Sequence, residues 1–527
     1  MVWPSVFNFL QAGVIVQAFT TIICIFLVYK CTKYLFGKAT SEEPLKANTL
    51  RRRLGLQEDI LDTCSVERGG SGNICLAVSL TSKQSLSQQH VRDALVLMAK
   101  RQPMLRAVIS TFGDGYKYFE INEINEVINM LDIASSTVKA SDWKDIWFEY
   151  TSKQLSNTNG LLWRVVILQE EFRPHTDQYA NTLLFSFNHS CTDGVSCVKF
   201  CEQFLRKLND ISSGTIDVDQ KISSLNLLPY FQDLVTRERT PYSILTLILT
   251  YCGLRPILRF LMHRMIFRQV QAARCNPYSA QFPPRLDVSS FVGTNGMETK
   301  VFTEKETKNI LLACKVNNCT VTGALTAAAH LTFCELVEDG MKGSKDVNLK
   351  CSFSINSLRC CNLKPHKDYL GYFVYYCDEL YLKYMNQLGI DFWKVAQETT
   401  KQIQDCVKKE EFVLSESIMN ETIRAKELVD LLDRELLVRI SCCNFISSFG
   451  SFNFAHDIDK QTYKLQDCFV NSLTHGFPHT FNHYNHTING RMIWQIIYDA
   501  SIVETHHAKE FANRCFSRFL EMASDQV

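Results

Sequence analysis

The sequence predicts a mixed α/β (α+β) fold, in two to four domains or one large two-lobed body, preceded by one N-terminal transmembrane helix. Three observations predict this fold: an uncharged apolar stretch at the start, short β-rich runs that alternate with helical periodicity, and 527 residues, which exceed one ordinary core. Hydrophobic residues make up 46% and charged residues 21% of the chain. This composition is typical of a folded body and excludes both a multi-span transporter and a disordered chain.

Charge and cysteine usage exclude two further classes. The formal net charge is +1, so the chain lacks the basic excess expected of a nucleic-acid-binding surface. The 21 cysteines are scattered without metal-ligand or disulfide-framework spacing, and we expect most of them to be reduced, buried small hydrophobes. Protein partners and oligomeric state are left open by the sequence.

The first element is the predicted membrane anchor. Residues 1–29 contain no charged side chain, and 9–29 are long enough for a helix to cross a bilayer core of about 30 Å. The basic residues begin after this stretch, at Lys30, whereas a cleaved signal peptide would carry them in front. We therefore predict a retained single-pass anchor over 1–35 and a basic linker over 36–60. Since positive charge concentrates on the cytoplasmic side, the body is expected in the cytosol, on the endoplasmic reticulum.

The first half of the body, 61–210, alternates strands and helices. Ser87 is predicted to cap a helix that runs to Lys100 and ends at Pro103. The other predicted elements are strands at 75–80, 163–168 and 183–187 and a helix at 195–208.

The segment 211–295 is predicted to connect the lobes. It contains a second apolar region, 242–267, which Pro256 and several arginines interrupt. Arginines among leucines and phenylalanines suit an interfacial amphipathic helix that contacts membrane lipid. A pair of core-packed helices broken at Pro256 fits the pattern equally well.

The second half, 296–527, also mixes both element types. The predicted helices are 308–314, 322–338, 391–407 and 504–522, and the predicted strands are 349–355, 372–382 and 491–498.

His189 is the candidate catalytic residue. It follows the predicted strand 183–187 and precedes the helix 195–208, and a strand-to-helix turn defines backbone geometry sharply. Acyl transfer from a thioester to an alcohol needs a base for the hydroxyl proton and donors for the developing oxyanion. A neutral histidine can accept that proton and return it to the leaving thiolate. Asp193 could touch the imidazole or could fix the turn, and the sequence leaves both open.

The motif Asn188-His189-Ser190-Cys191-Thr192-Asp193-Gly194 resembles the HxxxDG signature of the chloramphenicol acetyltransferase-like superfamily. This superfamily includes alcohol acetyltransferases, wax ester synthases and condensation domains. The resemblance extends in similar order from about residue 54 to 519. It includes 91–107 (VRDALVLMAKRQPMLRA), 320–329 (TVTGALTAAA) and 354–359 (SINSLR) followed by Leu370-Gly371-Tyr372.

The resemblance implies roles for further residues. Arg359 would pair with Asp193 and hold the turn, and Gly194 would let the backbone approach the substrate channel closely. The segment 445–450 (FISSFG) resembles the family stretch that lies near the acyl group. It implies Ser447, Ser448 and Gly450 as possible oxyanion or acyl-pocket residues, although Ser448 stands where the family has asparagine.

The resemblance also implies an architecture and a reaction. Two chloramphenicol acetyltransferase-like lobes would enclose a central tunnel, with His189 midway and the two substrates entering from opposite ends. The acceptor oxygen would attack acyl-CoA directly, with acyl-CoA as co-substrate and with no bound cofactor, metal or covalent acyl-enzyme. The anchor and the interfacial helix considered above favour a hydrophobic, lipid-like alcohol and a role in lipid metabolism, although placement on the endoplasmic reticulum could equally serve a soluble substrate.

Alternatives remain at this point. Cys191 could act as a nucleophile beside His189, or the same fold could transfer to nitrogen as a condensation-type enzyme. A non-catalytic, membrane-tethered lipid-binding scaffold is a third possibility. The histidines at 475, 479, 483 and 486 could suggest a metal, but Gly476 and Pro478 exclude a regular helix that would align them, and we expect acceptor-pocket lining or a surface loop instead. A glycosylation-type triplet begins at Asn188, where a glycan would block the site.

Overall fold

The computed structural model describes residues 50–113, 115–152, 160–230, 276–284, 295–341, 348–359, 365–384, 391–409, 419–420, 423–432, 436–438, 442–454 and 461–524, together with 256, 259, 260, 263, 264 and 266–268. The anchor predicted over 1–35 and most of the connector predicted over 211–295 lie outside these residues. None of the helices within the described part is long and apolar enough to span a bilayer.

The strands of the N-terminal half form two sheets. They are β1 Arg51–Arg53, β2 Ile74–Ser82, β3 Ala107–Thr111, β4 Lys117–Ile121, β5 Ile133–Lys139, β6 Trp163–Gln169, β7 Glu171–Arg173 and β8 Gln178–Phe187. The order β1-β4-β3 makes a small three-stranded sheet. In the larger sheet β8 is central, between β2 and β6, and its residues from Ala180 onward are buried.

The C-terminal half contributes seven strands, six of which form a third sheet. The seven are β9 Asn295–Val301, β10 Asn348–Asn356, β11 Val374–Lys383, β12 Cys442–Phe452, β13 Tyr463–Ser472, β14 His479–Ile488 and β15 Arg491–Asp499. β13 is the strand that lies outside this sheet. The order in this sheet is β11-β10-β12-β14-β15-β9, with parallel pairing of β10 with β12 and of β12 with β14. The two halves together confirm the predicted mixed α/β fold.

Eleven α-helices complete the described part of the fold. They are α1 Leu56–Glu67, α2 Gln88–Arg101, α3 Ile124–Met130, α4 Trp143–Ser152, α5 Gly194–Ser212, α6 Pro277–Gln281, α7 Glu304–Val316, α8 Val321–Leu336, α9 Phe392–Lys409, α10 Ala425–Leu431 and α11 Thr505–Ser524. Ser87 caps α2 as predicted, since its hydroxyl accepts a hydrogen bond from the His90 backbone N–H.

One strand crosses between the halves. β13 lies late in the chain, yet it pairs antiparallel with β2 along its whole length, from Tyr463 opposite Ser82 to Ser472 opposite Ile74. The sheet of the N-terminal half therefore has the order β13-β2-β8-β6-β5, with β7 attached to β8. The predicted boundaries 61–210 and 296–527 do not anticipate this exchange, because they place β13 wholly in the second lobe.

Two other predictions differ from the structure. The basic linker predicted over 36–60 is structured from residue 51, because β1 pairs with β4 and α1 begins at Leu56. The histidines at 475–486 do not form a surface loop. His479, His483 and His486 lie on β14, and the last two are fully buried.

Candidate functional site

The predicted motif occupies the turn between β8 and α5. β8 ends at Phe187 and α5 begins at Gly194, so the strand-to-helix position of His189 is confirmed. Aromatic packing between the strand and the helix holds this turn. The rings of Phe185 and Phe187 on β8 both contact Phe200 on α5, with centroid distances to it of 5.0 and 5.1 Å. Such edge-to-face pairs lock the strand and the helix together.

Asp193 holds the turn through backbone groups. It is the N-cap of α5, and its Oδ1 accepts from the Ser196 N–H at 2.7 Å. Its Oδ2 accepts from the Phe373 N–H of the C-terminal half at 2.9 Å. Burial raises the pKa of this carboxyl, while the two N–H donors oppose that shift. The side chain of Arg359 lies outside the described residues, so its pairing with Asp193 stays a prediction.

The segment before β11 lies against the motif. The Ser196 hydroxyl donates to the Gly371 carbonyl at 2.8 Å, and the Gly371 N–H lies 3.2 Å from the same hydroxyl oxygen. The Tyr372 ring meets the His189 imidazole edge-on, with centroids 5.5 Å apart. His189 therefore lies where the two halves of the molecule meet.

The environment of His189 defines its tautomer. Nδ1 lies 2.8 Å from the Thr192 carbonyl oxygen, which only accepts, so Nδ1 carries the proton and Nε2 keeps its lone pair. Burial lowers the pKa of the imidazole to about 4, against the opposing effect of hydrogen bonds to backbone. Nε2 has no hydrogen-bond partner within the described part of the chain, and the residue keeps 9% of its surface exposed. The ring is thus a neutral base at physiological pH.

Gly194 is required by close packing across the halves. A Cβ atom at this position would lie 2.2 Å from the ring of Phe449 on β12. That ring stacks on His486 with centroids 5.7 Å apart, so it has little freedom to withdraw. Gly194 therefore lets an aromatic ring of the 445–450 segment pack on the turn, whereas the approach of its backbone to a substrate channel stays a prediction.

Ser447 and Ser448 point in different directions. Ser448 accepts from the Thr322 hydroxyl at 3.0 Å and donates to Asn485 Oδ1, so its single proton is used. Ser447 instead lies on the same side of β12 as Phe449, and its oxygen is 2.8 Å from the Ser354 hydroxyl.

Gly450 has a backbone geometry that favours glycine. Its φ is +100°, at a β-bulge in the pairing of β12 with β14. Its role in an acyl pocket stays a prediction.

Sequence reasoning missed a polar chain behind the motif. The Asn188 amide donates to Asp62 Oδ1 at 2.8 Å, and Lys117 Nζ donates to Asp62 Oδ2 at 2.7 Å. Asn188 is fully buried, so its triplet is inaccessible in the folded protein. These partners are far apart in the sequence, and no local pattern links Asp62 or Lys117 to the motif.

Cys191 is a buried hydrogen-bonded thiol. Its Sγ donates to the Asn188 carbonyl at 3.1 Å, and burial raises its pKa far above the ordinary value. A thiol that stays protonated is a poor nucleophile, so this environment disfavours the cysteine mechanism.

Three of the four histidines at 475–486 make separate hydrogen bonds, and the fourth, His479, stacks on Phe445 with ring centroids 4.9 Å apart. His475 bonds to the Arg68 carbonyl, His483 to the Asn444 side chain and His486 to the Cys468 carbonyl. Burial lowers the pKa of His483 to about 3 and that of His486 to about 4. They act as polar core residues of the strand.

Comparisons with known proteins bear on the family and the fold. The family model "Alcohol acetyltransferase" matches residues 138–511. The structure of TRI3 trichothecene 15-O-acetyltransferase from Fusarium sporotrichioides is similar with a TM-score of 0.65 and 13% sequence identity, over 90% of this chain and 95% of that one. No curated protein sequence matches.

Two further structures share the fold. Polyketide synthase associated protein 5 from Mycobacterium tuberculosis has a TM-score of 0.55 at 10% identity, and the condensation domain of the Monacolin K polyketide synthase MokA has 0.53 at 11%. Each alignment covers 90% of this chain and 97% of the other. At these identities the likeness shows the fold, which is the chloramphenicol acetyltransferase-like architecture of two similar lobes.

Proposed function

Because this chain belongs to the alcohol acetyltransferase family and is an acyltransferase, we propose that it transfers an acyl group from acyl-CoA to an alcohol with His189 as general base. One observation carries this proposal. The His189 ring presents an unprotonated Nε2 at the boundary between the two halves, and its Nδ1–H is held by the Thr192 carbonyl.

The proposed reaction needs one imidazole. As the acceptor oxygen attacks the thioester carbon, its proton passes to Nε2 of His189, and when the C–S bond breaks that proton passes to the leaving thiolate. A lowered pKa of about 4 keeps the ring unprotonated before each turnover. No covalent acyl-enzyme, metal or bound cofactor takes part in this scheme.

The surrounding residues support the base and the developing charge. Asp193 and Gly194 hold the turn through the contacts to Phe373 and Phe449, and Arg359 would add a charged partner for Asp193. We place the oxyanion donor at Ser447 rather than Ser448, because the Ser448 proton is committed to Asn485. A tunnel between the lobes would bring the two substrates to His189 from opposite ends.

The acceptor is proposed to be hydrophobic, and the enzyme to sit on the endoplasmic reticulum membrane with its body in the cytosol. The apolar stretch 9–29 supports a single-pass anchor. In the region 242–267, Phe260 is 62% exposed, and Phe267, at its C-terminal limit, is 50% exposed, which supports contact with lipid. The burial of Asn188 supports the cytosolic side, because a glycan on this side chain would not fit the fold and a cytosolic body is not glycosylated there.

Transfer to nitrogen is the second candidate. It is kept because the fold is shared with a condensation domain, that of MokA, and this fold is compatible with either acceptor atom. A non-catalytic scaffold is less well supported, because the His189 tautomer and the Asp193 contacts are those of an intact catalytic turn.

Activity assays with purified protein would test the proposal. The protein is incubated with a panel of labelled acyl-CoAs and alcohol or amine acceptors, and the products are extracted and identified. We expect ester products, and a loss of about 10²- to 10⁴-fold in rate for His189→Ala. An unchanged rate in His189→Ala would reject the mechanism, and amide products alone would favour the second candidate.

A further inference from the structure

A cavity of about 170 Å³ lies between the two halves, away from the motif turn in sequence. Its first wall comes from β1, the start of α1 and the β3–β4 hairpin, and its second wall comes from Asn420 and residues 423–426. Four basic and two acidic side chains line it: Arg53, Lys117, Arg424, Lys426, Asp59 and Glu67. The lining is therefore positive on balance.

Both lysines of the cavity are already paired. Lys117 Nζ lies 3.0 Å from Asp59 and 2.7 Å from Asp62, and these carboxylates raise its pKa although burial acts to lower it. Lys426 Nζ lies 2.9 Å from Glu67 and also contacts Asp430 at 2.6 Å. Each lysine is thus neutralised by two carboxylates, which leaves the two arginines as the groups of the lining able to bind an anion.

Arg53 and Arg424 bracket one aromatic ring. Their guanidinium carbons lie 3.4 and 5.0 Å from the centroid of the Tyr116 ring. Neither guanidinium has a carboxylate partner among the described residues. Stacking on an aromatic face orients a guanidinium while its N–H edge stays available, and that edge matches the oxygens of a phosphate.

The second wall is fastened to α1. The Leu56 N–H donates to Asn420 Oδ1 at 2.9 Å. The buried Arg68 donates to the carbonyls of Gly476 at 2.9 Å and Val429 at 2.5 Å. Because these bonds hold Asn420 and α10 in place, the cavity is built before any ligand arrives, and less ordering entropy is lost on binding.

A short polar chain joins the cavity to the catalytic turn. Lys117 lines the cavity and binds Asp62, and Asp62 also binds Asn188, the residue before His189. A ligand group in the cavity therefore lies close to the back of the motif. The pantetheine arm of coenzyme A separates the thioester from the nucleotide phosphates by a long flexible chain, which would let both ends be held at once.

We infer that this cavity binds a phosphate group through Arg53 and Arg424. The favoured source is the nucleotide end of the acyl-CoA donor, an assignment that rests on the proposed function. A phospholipid headgroup has the same chemistry, and the experiment separates the two sources.

Calorimetric titration of the detergent-solubilised full chain tests the inference. The ligands are coenzyme A, dephospho-coenzyme A and pantetheine, and the variants are Arg53→Gln and Arg424→Gln. Arg51→Gln is the matched control, since Arg51 lies on the same strand and stacks on Phe112 at 4.4 Å but does not line the cavity. We expect each cavity variant to bind coenzyme A about tenfold more weakly than the control does, with pantetheine binding unchanged.

The remaining arms decide the source. Arg424→Lys should recover only part of the affinity, because a lysine keeps the charge and loses the fork of donors. Loss of binding to phosphatidate-containing vesicles, with coenzyme A binding unaffected, would assign the cavity to a lipid phosphate. If Arg53→Gln and Arg424→Gln bind coenzyme A and the phosphatidate vesicles as tightly as Arg51→Gln does, the inference is overturned. If the wild-type chain binds no coenzyme A, the proposed donor fails, and the vesicle arm alone decides the cavity.

Discussion

The two adjacent serines of β12 show how a single residue's role depends on the face it occupies. Ser448 lies between Thr322 and Asn485 on the α8 side, and its hydroxyl is fully engaged. Ser447 shares its face with Phe449, the ring that packs on the catalytic turn at Gly194. Its hydroxyl partner, Ser354, is another hydroxyl at 2.8 Å, so either oxygen can supply a proton to a third group.

Alanine substitution should therefore affect catalysis at Ser447 and stability at Ser448. Ser447→Ala should lower kcat about tenfold or more with little change in stability, because it removes a donor proposed to act on the oxyanion. Ser448→Ala should leave kcat nearly unchanged and lower the free energy of unfolding by about 1 to 3 kcal/mol, because it leaves Asn485 without its hydrogen bond. Steady-state kinetics and thermal unfolding of both variants make the comparison. A kcat loss confined to Ser448→Ala would contradict the assignment.

At the level of elements, the described residues between 256 and 268 form an exposed face of mixed character. The described helical positions Phe260, Arg264, Phe267 and Arg268 are all exposed, and they fall on one side at helical spacing. The other side is fastened to the body, since Arg259 and His263 contact Glu427 of α10, the latter at 3.3 Å. Exposed phenylalanines flanked by arginines are typical of a helix that lies in a lipid headgroup region.

Photo-cross-linking can test whether this face meets the bilayer. Phe260 and Phe267 are replaced one at a time by p-benzoylphenylalanine, in full-length protein reconstituted into nanodiscs of phosphatidylcholine and phosphatidylserine. Phe172 on β7 is the matched control, because it is a phenylalanine of similar exposure, 51%. We expect lipid adducts at 260 and 267 and few at 172, measured by mass spectrometry. Equal yields at all three positions would argue against a membrane-facing surface.

The elements also show what the sequence could and could not predict. β8, α2, α5 and α8 follow the periodicity of their apolar residues, and each was predictable within a few residues. β14 was not, because its sequence HTFNHYNHTI is polar and its buried histidines are satisfied by distant partners such as Asn444. The Asp62–Asn188 contact was hidden for the same reason, whereas His189 was predictable because its motif is local.

At the scale of the whole molecule, the exchanged strand ties the halves together. β13 completes the sheet of the N-terminal half by pairing with β2, and Val470 buries its side chain in that half's core. Without β13, one edge of β2 would expose its backbone groups and its apolar side chains. We therefore expect neither half to be stable alone.

A nicked protein should accordingly stay in one piece. A protease site inserted after Gly214, which lies in an exposed stretch following α5, would cut the chain between the halves. After cleavage, the two fragments should co-elute in size-exclusion chromatography and separate only in denaturant. Val470→Asp, placed in the nicked protein, should promote separation because it buries a carboxylate in the core. Fragments that part readily under native conditions would mean that the exchanged strand contributes little.

Acid stability is set by several buried imidazoles at once. Burial lowers the pKa of His189, His330 and His486 to about 4 and that of His483 to about 3. The unfolded chain would bind these protons near the ordinary value of about 6.5, so it takes up protons first as the pH falls. The stability that these neutral imidazoles contribute is thus fully present above pH 6.5 and is lost progressively as the pH falls to about 4.

Two buried carboxyls act in the opposite direction. Burial raises the pKa of Asp193 and Asp467, so the folded chain holds their protons at a higher pH than the unfolded chain does. This favours the folded state as the pH falls towards the ordinary carboxyl value. The four imidazoles outnumber these groups and titrate from a higher pH in the unfolded chain, so we expect them to dominate between pH 6.5 and 5.

Thermal unfolding measured at pH 7, 6 and 5 should show this loss. Each buried imidazole contributes up to about 1.4 kcal/mol per pH unit, so the midpoint should fall steeply below pH 6.5. His483→Gln should flatten the fall, because one proton fewer is taken up on unfolding. His506→Gln is the matched control, since this exposed histidine lies at the surface of α11, and it should leave the slope unchanged. A midpoint that stays constant from pH 7 to 5 would contradict the neutral state assigned to these rings, including that of His189.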